Sequence, residues 1–459
     1  MKAAVILAAG DGTKIVPYQQ TRQKAALPVC NVPLIRRLAD DLRSLGIERL
    51  VVVIGYLGQQ VRHALGGLEG VVFVEQAQRG GTAQASLQAL DRLDREDGAF
   101  LLAYGDIACA RENIAKLLDD FKTSGVEAAA LVHPLEDERA LDWLCASVSG
   151  QRLDGVSGHA RHASHRLCGV YALRWSAEDY LQRNPGIFRH VSVGGMPPIE
   201  SEVAESVQLM IEEGKEILAV PTGDFFVDVD KPWHILDANR RAADYIFRRL
   251  ETDKIHPSAR ISKKAELGGR VVIGENSVIG DGVQIEGPIW IGRGSSITRG
   301  ATVGGGTVIG DDCRLFQYCE VGGRSVIGDH CRIGHGAEFS GVMFDRVCAY
   351  HYCEIAGVVG SAADIGAATV CGTLRFDDEK QVIRIKDRPE RPARGGSCAY
   401  IGDYCRTGVN AILMPGCRVG PYSLVGPGVV VYDEVPANTM VLLKQELVEK
   451  PWGPEKYGW

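Results

Sequence analysis

Twelve residues, Ile273, Ile279, Ile285, Ile291, Ile297, Val303, Ile309, Leu315, Val321, Ile327, Ile333 and Phe339, recur six positions apart without a break. A fixed internal period marks a repeat architecture, in which each unit buries its apolar side only against its neighbours. The pattern resumes at Val359 and Ile365, breaks between Leu374 and Cys398, and continues at Ile401, Thr407, Leu413, Val419 and Val425. The period also explains the cysteines. Their number, 13, is odd, and they form no C-x-x-C and no cluster with zinc-ligand spacing. Cys313, Cys319, Cys331, Cys405 and Cys417 each stand four after a repeat residue, in the column that elsewhere holds Ser277, Ser295, Ala301, Thr307 and Ser325. They read as small core fillers rather than as disulfides or a metal ladder.

The repeat resembles the hexapeptide acyltransferases, which coil as a left-handed parallel β-helix with three short strands per turn. On that resemblance each aliphatic residue points inward and stacks on the one three hexapeptides later. We assign residues 252–435 to this domain and 436–459 to a C-terminal tail.

The first 251 residues read differently. A chain of 459 residues has room for two or three cores. Short apolar runs at Ala3–Ala9, Leu50–Ile54, Val71–Glu75 and Ala99–Ala103 alternate with helical patterns at Pro33–Leu45, Gly58–Leu65 and, after a longer interval, Pro232–Leu250. Alternation of this kind predicts an α/β domain, with a parallel sheet whose binding groups lie at the strand C-termini. Net charge of −7 argues against nucleic acid as the main partner. No run is long enough to span a bilayer, and Met1 leads directly into the first strand with no room for a cleaved signal, so a cytoplasmic protein is expected.

The first strand ends in Gly10-Asp11-Gly12-Thr13-Lys14, and Lys24 follows. Glycines let backbone N–H groups approach an anion, and two lysines add charge, so the stretch suits a triphosphate. Glycine pairs also follow strands in many proteins that bind no nucleotide. The spacing resembles the sugar-1-phosphate nucleotidylyltransferases, whose signature reads roughly L-A-A-G-x-G-T-R-x-x-P-x-T-x-x-x-P-K. Leu7, Ala9, Gly10, Gly12, Thr13, Pro17 and Lys24 fall in register, whereas Lys14, Gln19 and Gln23 replace the arginine, threonine and second proline. Lysine keeps the charge and loses the planar fork. Gln76, Gly81 and Thr82 match a uridylyltransferase pattern, Q-A-x-x-x-G-T-A-x-A, which implies base contacts and favours UTP; a polar loop with a helix cap at Thr82 is the plain alternative. The resemblance makes Asp106, after Tyr104-Gly105, and Asp228 in Phe226-Val227-Asp228-Val229-Asp230 the ligands of Mg²⁺, with Asp230 a surface residue. It implies attack of a sugar-1-phosphate on the α-phosphorus, with Lys14 on the leaving pyrophosphate and Lys24 on the sugar phosphate.

The sugar pocket departs from that family. Its E-K-P and N-x-G-I-Y become Gly155–Arg161 and Leu167-Cys168-Gly169-Val170-Tyr171. Trp143, His159, Arg161 and His165 are candidate replacements. The two halves together resemble the bifunctional N-acetylglucosamine-1-phosphate uridylyltransferase/glucosamine-1-phosphate acetyltransferase family, above all its archaeal-type relatives. That implies a homotrimer and acetyl-CoA-dependent acylation of an amino-sugar phosphate with His351 as general base, although Glu354, Gly357 and Thr373 replace residues expected around the acceptor. The basic stretch Arg384, Lys386, Arg388, Arg391 and Arg394 is either a loop reaching the phosphates of coenzyme A or of the sugar, or a solvated one. A non-catalytic regulatory or assembly protein on the same plan is the alternative from a different class.

Overall fold

The computed structural model describes residues 1–459 except 96–97, 137, 159, 192–198, 387 and 458–459. The N-terminal half is built on nine strands: β1 (Ala3–Ala8), β2 (Arg49–Ile54), β3 (Val71–Glu75), β4 (Ala99–Tyr104), β5 (Ala128–Pro134), β6 (Leu144–Ser149), β7 (Arg152–Gly158), β8 (His165–Arg174) and β9 (Ile217–Pro221). They lie in the order β3-β2-β1-β4-β8-β5-β9-β7-β6. The first four are mutually parallel. β8 enters antiparallel between β4 and β5.

Every residue of β1 is buried, as a central strand covered on both faces requires. Helices α1 (Leu34–Ser44), α2 (Gly58–Ala64) and α3 (Thr82–Leu90) follow the first three strands. Leu34, Ile35, Leu38, Ala39 and Leu42 form the buried stripe of α1, at the helical spacing read from the sequence. Later come α4 (Arg111–Ser124), α5 (Ala177–Gln182), α6 (Val203–Glu212) and α7 (Pro232–Arg248), the last opening on proline, whose missing N–H costs nothing there.

The second half is a left-handed β-helix. Ile273 pairs with Ile291, Ile291 with Ile309 and Ile309 with Ile327, so residues three hexapeptides apart stack as expected. The coil starts earlier than the unbroken sequence pattern, at Lys254–Ile255, and its last pairing is Met440–Val441, past residue 435. Cys313, Cys319, Cys331, Cys405 and Cys417 are all at most 1% exposed inside the coil. Two shortened corners explain the lapse of the period after Phe339: Phe339 pairs with Ile355 and Met343 with Val359.

The two halves share a third apolar core. Tyr18, Leu27, Val29, Val227 and Trp233 pack with Val308, Val326, Phe344, Val358, Ile383, Ile385 and Tyr400. Polar contacts reinforce it. The Tyr18 hydroxyl donates to the Val358 carbonyl at 2.8 Å. Arg22 lies 4.4 Å over the Phe344 ring and pairs at 2.9 Å with the buried Asp403.

The basic break in the repeat folds back as a hairpin, and its five basic residues stay exposed. Ile383–Ile385 and Arg388–Glu390 form an antiparallel hairpin. Its alternating pattern buries Ile383 and Ile385 in the shared core, which turns the segment back on the first domain. Arg388 pairs with Asp142 at 2.9 Å, and Arg391 and Arg394 line a cavity with Trp143 and His234.

Candidate functional site

The order β3-β2-β1-β4 reverses between β1 and β4, and a crevice opens beyond the C-termini of two strands at such a point. The glycine loop leaves β1 there, and Asp106 leaves β4. The strand ends are tied where the Gly105 N–H donates to the Leu7 carbonyl at 2.8 Å. Gly12 turns the loop with φ +60, and a Cβ there would press on Lys24 at 3.3 Å. A cavity of about 200 Å³ results, with Leu7, Gly10, Gly12, Thr13, Lys14, Lys24, Asp106 and Asp230 on its walls. Ala9 sits behind it, its carbonyl accepting from Tyr56. Gln23, at the position of the missing proline, is 2% exposed and donates to the Ala8 carbonyl at 2.7 Å, so it ties the loop back onto β1.

A short antiparallel ribbon, Ile107–Cys109 with Phe226–Asp228, sets Asp228 opposite Ile107 and therefore beside Asp106. Lys24 Nζ stands 2.8 Å from Asp106, 3.3 Å from Asp230 and 3.8 Å from Asp228. Burial works against the Lys24 ammonium, but Asp106, Asp230 and Asp228 outweigh it and raise its pKa above the ordinary lysine value. Burial, with Asp106 and Asp230 adding repulsion, pushes the Asp228 carboxyl up to about 6 although Lys24 opposes. Among the described residues no three His, Cys, Asp or Glu side chains converge as a ready metal cage. Two hard carboxylates carrying surplus negative charge nevertheless fit an ion such as Mg²⁺, which takes few protein ligands and leaves the rest to phosphate and water.

Asp230 is not the surface residue expected. Its carboxylate lies 3.3 Å from each of Lys14, Lys24 and Lys231. The strand ends at Asp228, and the Asp230 N–H donates to the Asp228 carbonyl at 3.0 Å, so a tight turn, not strand alternation, brings Asp230 to the lysines.

On the neighbouring edge, Gln76 follows β3, and its side-chain amide nitrogen is buried with no partner among the described residues. Gly81 has φ +95, and a Cβ there would lie 2.4 Å from the Ser201 backbone, so its glycine is demanded by close packing. The Thr82 hydroxyl donates to Glu202 at 2.8 Å and accepts from the Val203 N–H at 2.8 Å. Thr82 therefore pins α3 to α6.

In the region of the sugar pocket, Leu167 is 7% exposed and belongs to the core. Trp143 stacks on His234 at 5.6 Å and covers Arg166 at 4.0 Å, in a different cavity from the glycine loop. The His165 ring contacts Ser164 at 2.9 Å, and Arg161 is exposed. His159 lies outside the described residues.

His351 is exposed at a β-helix corner. Its ring meets Tyr350 edge-on at 6.4 Å. Exposed Phe316, Tyr318, Tyr350 and Tyr352 occupy neighbouring corners.

A sheet of this order, a glycine loop facing two aspartates and a hexapeptide coil together define a nucleotidyltransferase joined to an acyltransferase-type β-helix. Residues 4–185 match the MobA-like NTP transferase domain, residues 251–344 the GMPPB C-terminal domain, and residues 398–433 the bacterial transferase hexapeptide of six repeats. The bifunctional protein GlmU of Methanococcus maripaludis is 30% identical over 447 residues, covering 97% of this chain and 98% of its own. A bifunctional sugar-1-phosphate nucleotidylyltransferase/acetyltransferase of Sulfurisphaera tokodaii is 24% identical over 438 residues, covering 94% and 98%. The chain belongs to the bifunctional GlmU family of enzymes.

Proposed function

We propose that the chain transfers a uridylyl group from UTP to a sugar-1-phosphate and releases pyrophosphate. The carrying observation is the cavity in which the Gly10–Lys14 loop, Lys24, Asp106 and Asp230 meet, with Asp228 at its edge. Lys14 and the loop N–H groups receive the β- and γ-phosphates, and Lys24 receives the sugar phosphate. Asp106 and Asp228 would hold Mg²⁺, which when bound neutralises phosphate charge around the reacting phosphorus. A sugar-phosphate oxygen forms the new bond to the α-phosphorus as the α–β bridging bond breaks, and its electrons leave with pyrophosphate. The attacking oxygen is already anionic, so the side chains act by positioning and charge neutralisation, and no protein base is needed. The unpartnered Gln76 amide supports uracil, whose carbonyls accept hydrogen bonds. Pyrophosphate release should require both substrates and stop with EDTA; full turnover in EDTA contradicts the proposal.

A second activity, acyl transfer from acetyl-CoA to an amino-sugar phosphate, is favoured by one observation. His351 is exposed, and among the described residues its ring carries no hydrogen bond, as a general base awaiting an amine requires. The exposed aromatic corners around it support packing against neighbouring copies in a homotrimer, which light scattering would report as three chain masses. Thiol release with glucosamine-1-phosphate should disappear in His351→Ala; equal release by the variant contradicts the role.

A further inference from the structure

The hairpin interrupting the β-helix ends in Glu390, and this residue reaches the nucleotidyl site through one intermediary. Glu390 accepts from Lys231 Nζ at 3.0 Å, and the same ammonium lies 3.3 Å from Asp230. Both members of the Glu390–Lys231 pair are at most 7% exposed. Asp230 in turn divides its carboxylate: Oδ1 faces Lys24 and Oδ2 faces Lys14, each at 3.3 Å. Its backbone is held as well, because the Asp230 and Lys231 N–H groups donate to His234 Nδ1 at 3.1 and 3.2 Å.

We propose that Glu390 is a positioning residue for nucleotidyl transfer, acting through Lys231 on Asp230, the carboxylate that aligns Lys14 and Lys24. This rests on the assignment of the Gly10–Lys24 cavity as the nucleotide site. Two long lysines facing an anion site have many rotamers to lose when a triphosphate arrives. A fixed carboxylate between them holds both ammoniums in place, and preorganisation of this kind strengthens binding by reducing the ordering left to do. Asp230 keeps that position only while Lys231 is anchored. Without Glu390, Lys231 becomes a buried ammonium with one carboxylate fewer, and it draws Asp230 away from the lysines. The β-helix thereby completes the site of the other domain.

The test is a double-mutant cycle in the full-length protein, read as the Kd of UTP with Mg²⁺ by calorimetry, with melting temperature recorded in parallel. Glu390→Gln should weaken UTP by about tenfold, and Glu390→Asp should restore most of the affinity. In an Asp230→Asn background, Glu390→Gln should have no further effect. Arg388→Ala removes another hairpin contact without touching Lys231, and should leave Kd unchanged. Unaltered affinity in Glu390→Gln, an equal loss in the Asp230→Asn background, or an equal loss in Arg388→Ala would each overturn the proposal. If the unaltered chain bound no nucleoside triphosphate, the nucleotide-site assignment would fail first, and this inference with it.

Discussion

Lys24 is the side chain on which the site closes. It is a buried ammonium facing Asp106, Asp228 and Asp230, so removing it leaves three carboxylates short of their common partner. Uncompensated buried charge costs about 3–5 kcal/mol when one partner is deleted. Lys24→Met should therefore lose both transfer activity and stability in urea unfolding, while Lys2→Met, at the exposed Lys2–Glu48 pair, should change neither by a measurable amount. Equal stability of Lys24→Met and the parent chain would refute the charge balance drawn here. At this scale most of the site was legible. Gly10, Gly12, Lys14, Lys24, Asp106 and Asp228 were all found by motif and do converge. Asp230 was misplaced, because the tight turn after Asp228 that brings it to the lysines leaves no mark in the sequence.

Among the elements, the β-helix coil is the one whose period explains its cysteines. Burial pushes the Cys319 thiol up to about 12 and the Cys405 thiol up to about 11, so neither carries thiolate at neutral pH. Of the 13 cysteines only Cys348 and Cys398 are even partly exposed. Burial raises the Cys348 thiol as well and pushes Cys398 up to about 11, so native protein at pH 7.5 should take up maleimide slowly, at these two positions first, and at the rest only on unfolding, counted by mass spectrometry. Rapid labelling of Cys313 or Cys405 would contradict the packed column. The first four strands of the sheet were equally readable, since β1 and β4 are apolar throughout and bounded by glycine turns, whereas β5 to β9 and the antiparallel entry of β8 were not. The hairpin was not. The five basic residues of the break dominate its composition, whereas Ile383 and Ile385, which decide the hairpin's direction, gain meaning only from the core they enter.

Across the whole molecule, the join between domains carries two half-buried imidazoles. Burial, with Arg166 among the nearby positive charges, lowers His133 to about 4; burial also lowers His234, to about 3, although Asp230 pulls the other way. Unfolded histidine titrates near 6.5. Between about pH 6.5 and 4 the unfolded chain thus binds more protons than the folded one, so stability is full above 6.5 and is lost as pH falls. Melting temperature should drop across that window, and His133→Gln should flatten the slope; a pH-independent melt from 7 to 4 would contradict it. The two-domain plan was readable from the motif at one end and the period at the other. The shared core was not, because Tyr18, Phe344 and Tyr400 belong to no common pattern and meet only in three dimensions.

Nucleotidyl transfer at the Gly10–Lys24 cavity can be followed with isotopic label. With UTP labelled at the α-phosphate, a sugar-1-phosphate and Mg²⁺, the label should appear in a nucleotide-sugar, while label at the γ-phosphate should leave in pyrophosphate. Asp106→Asn should abolish both. No labelled nucleotide-sugar from any nucleoside triphosphate and sugar phosphate, or undiminished transfer by Asp106→Asn, would contradict the account.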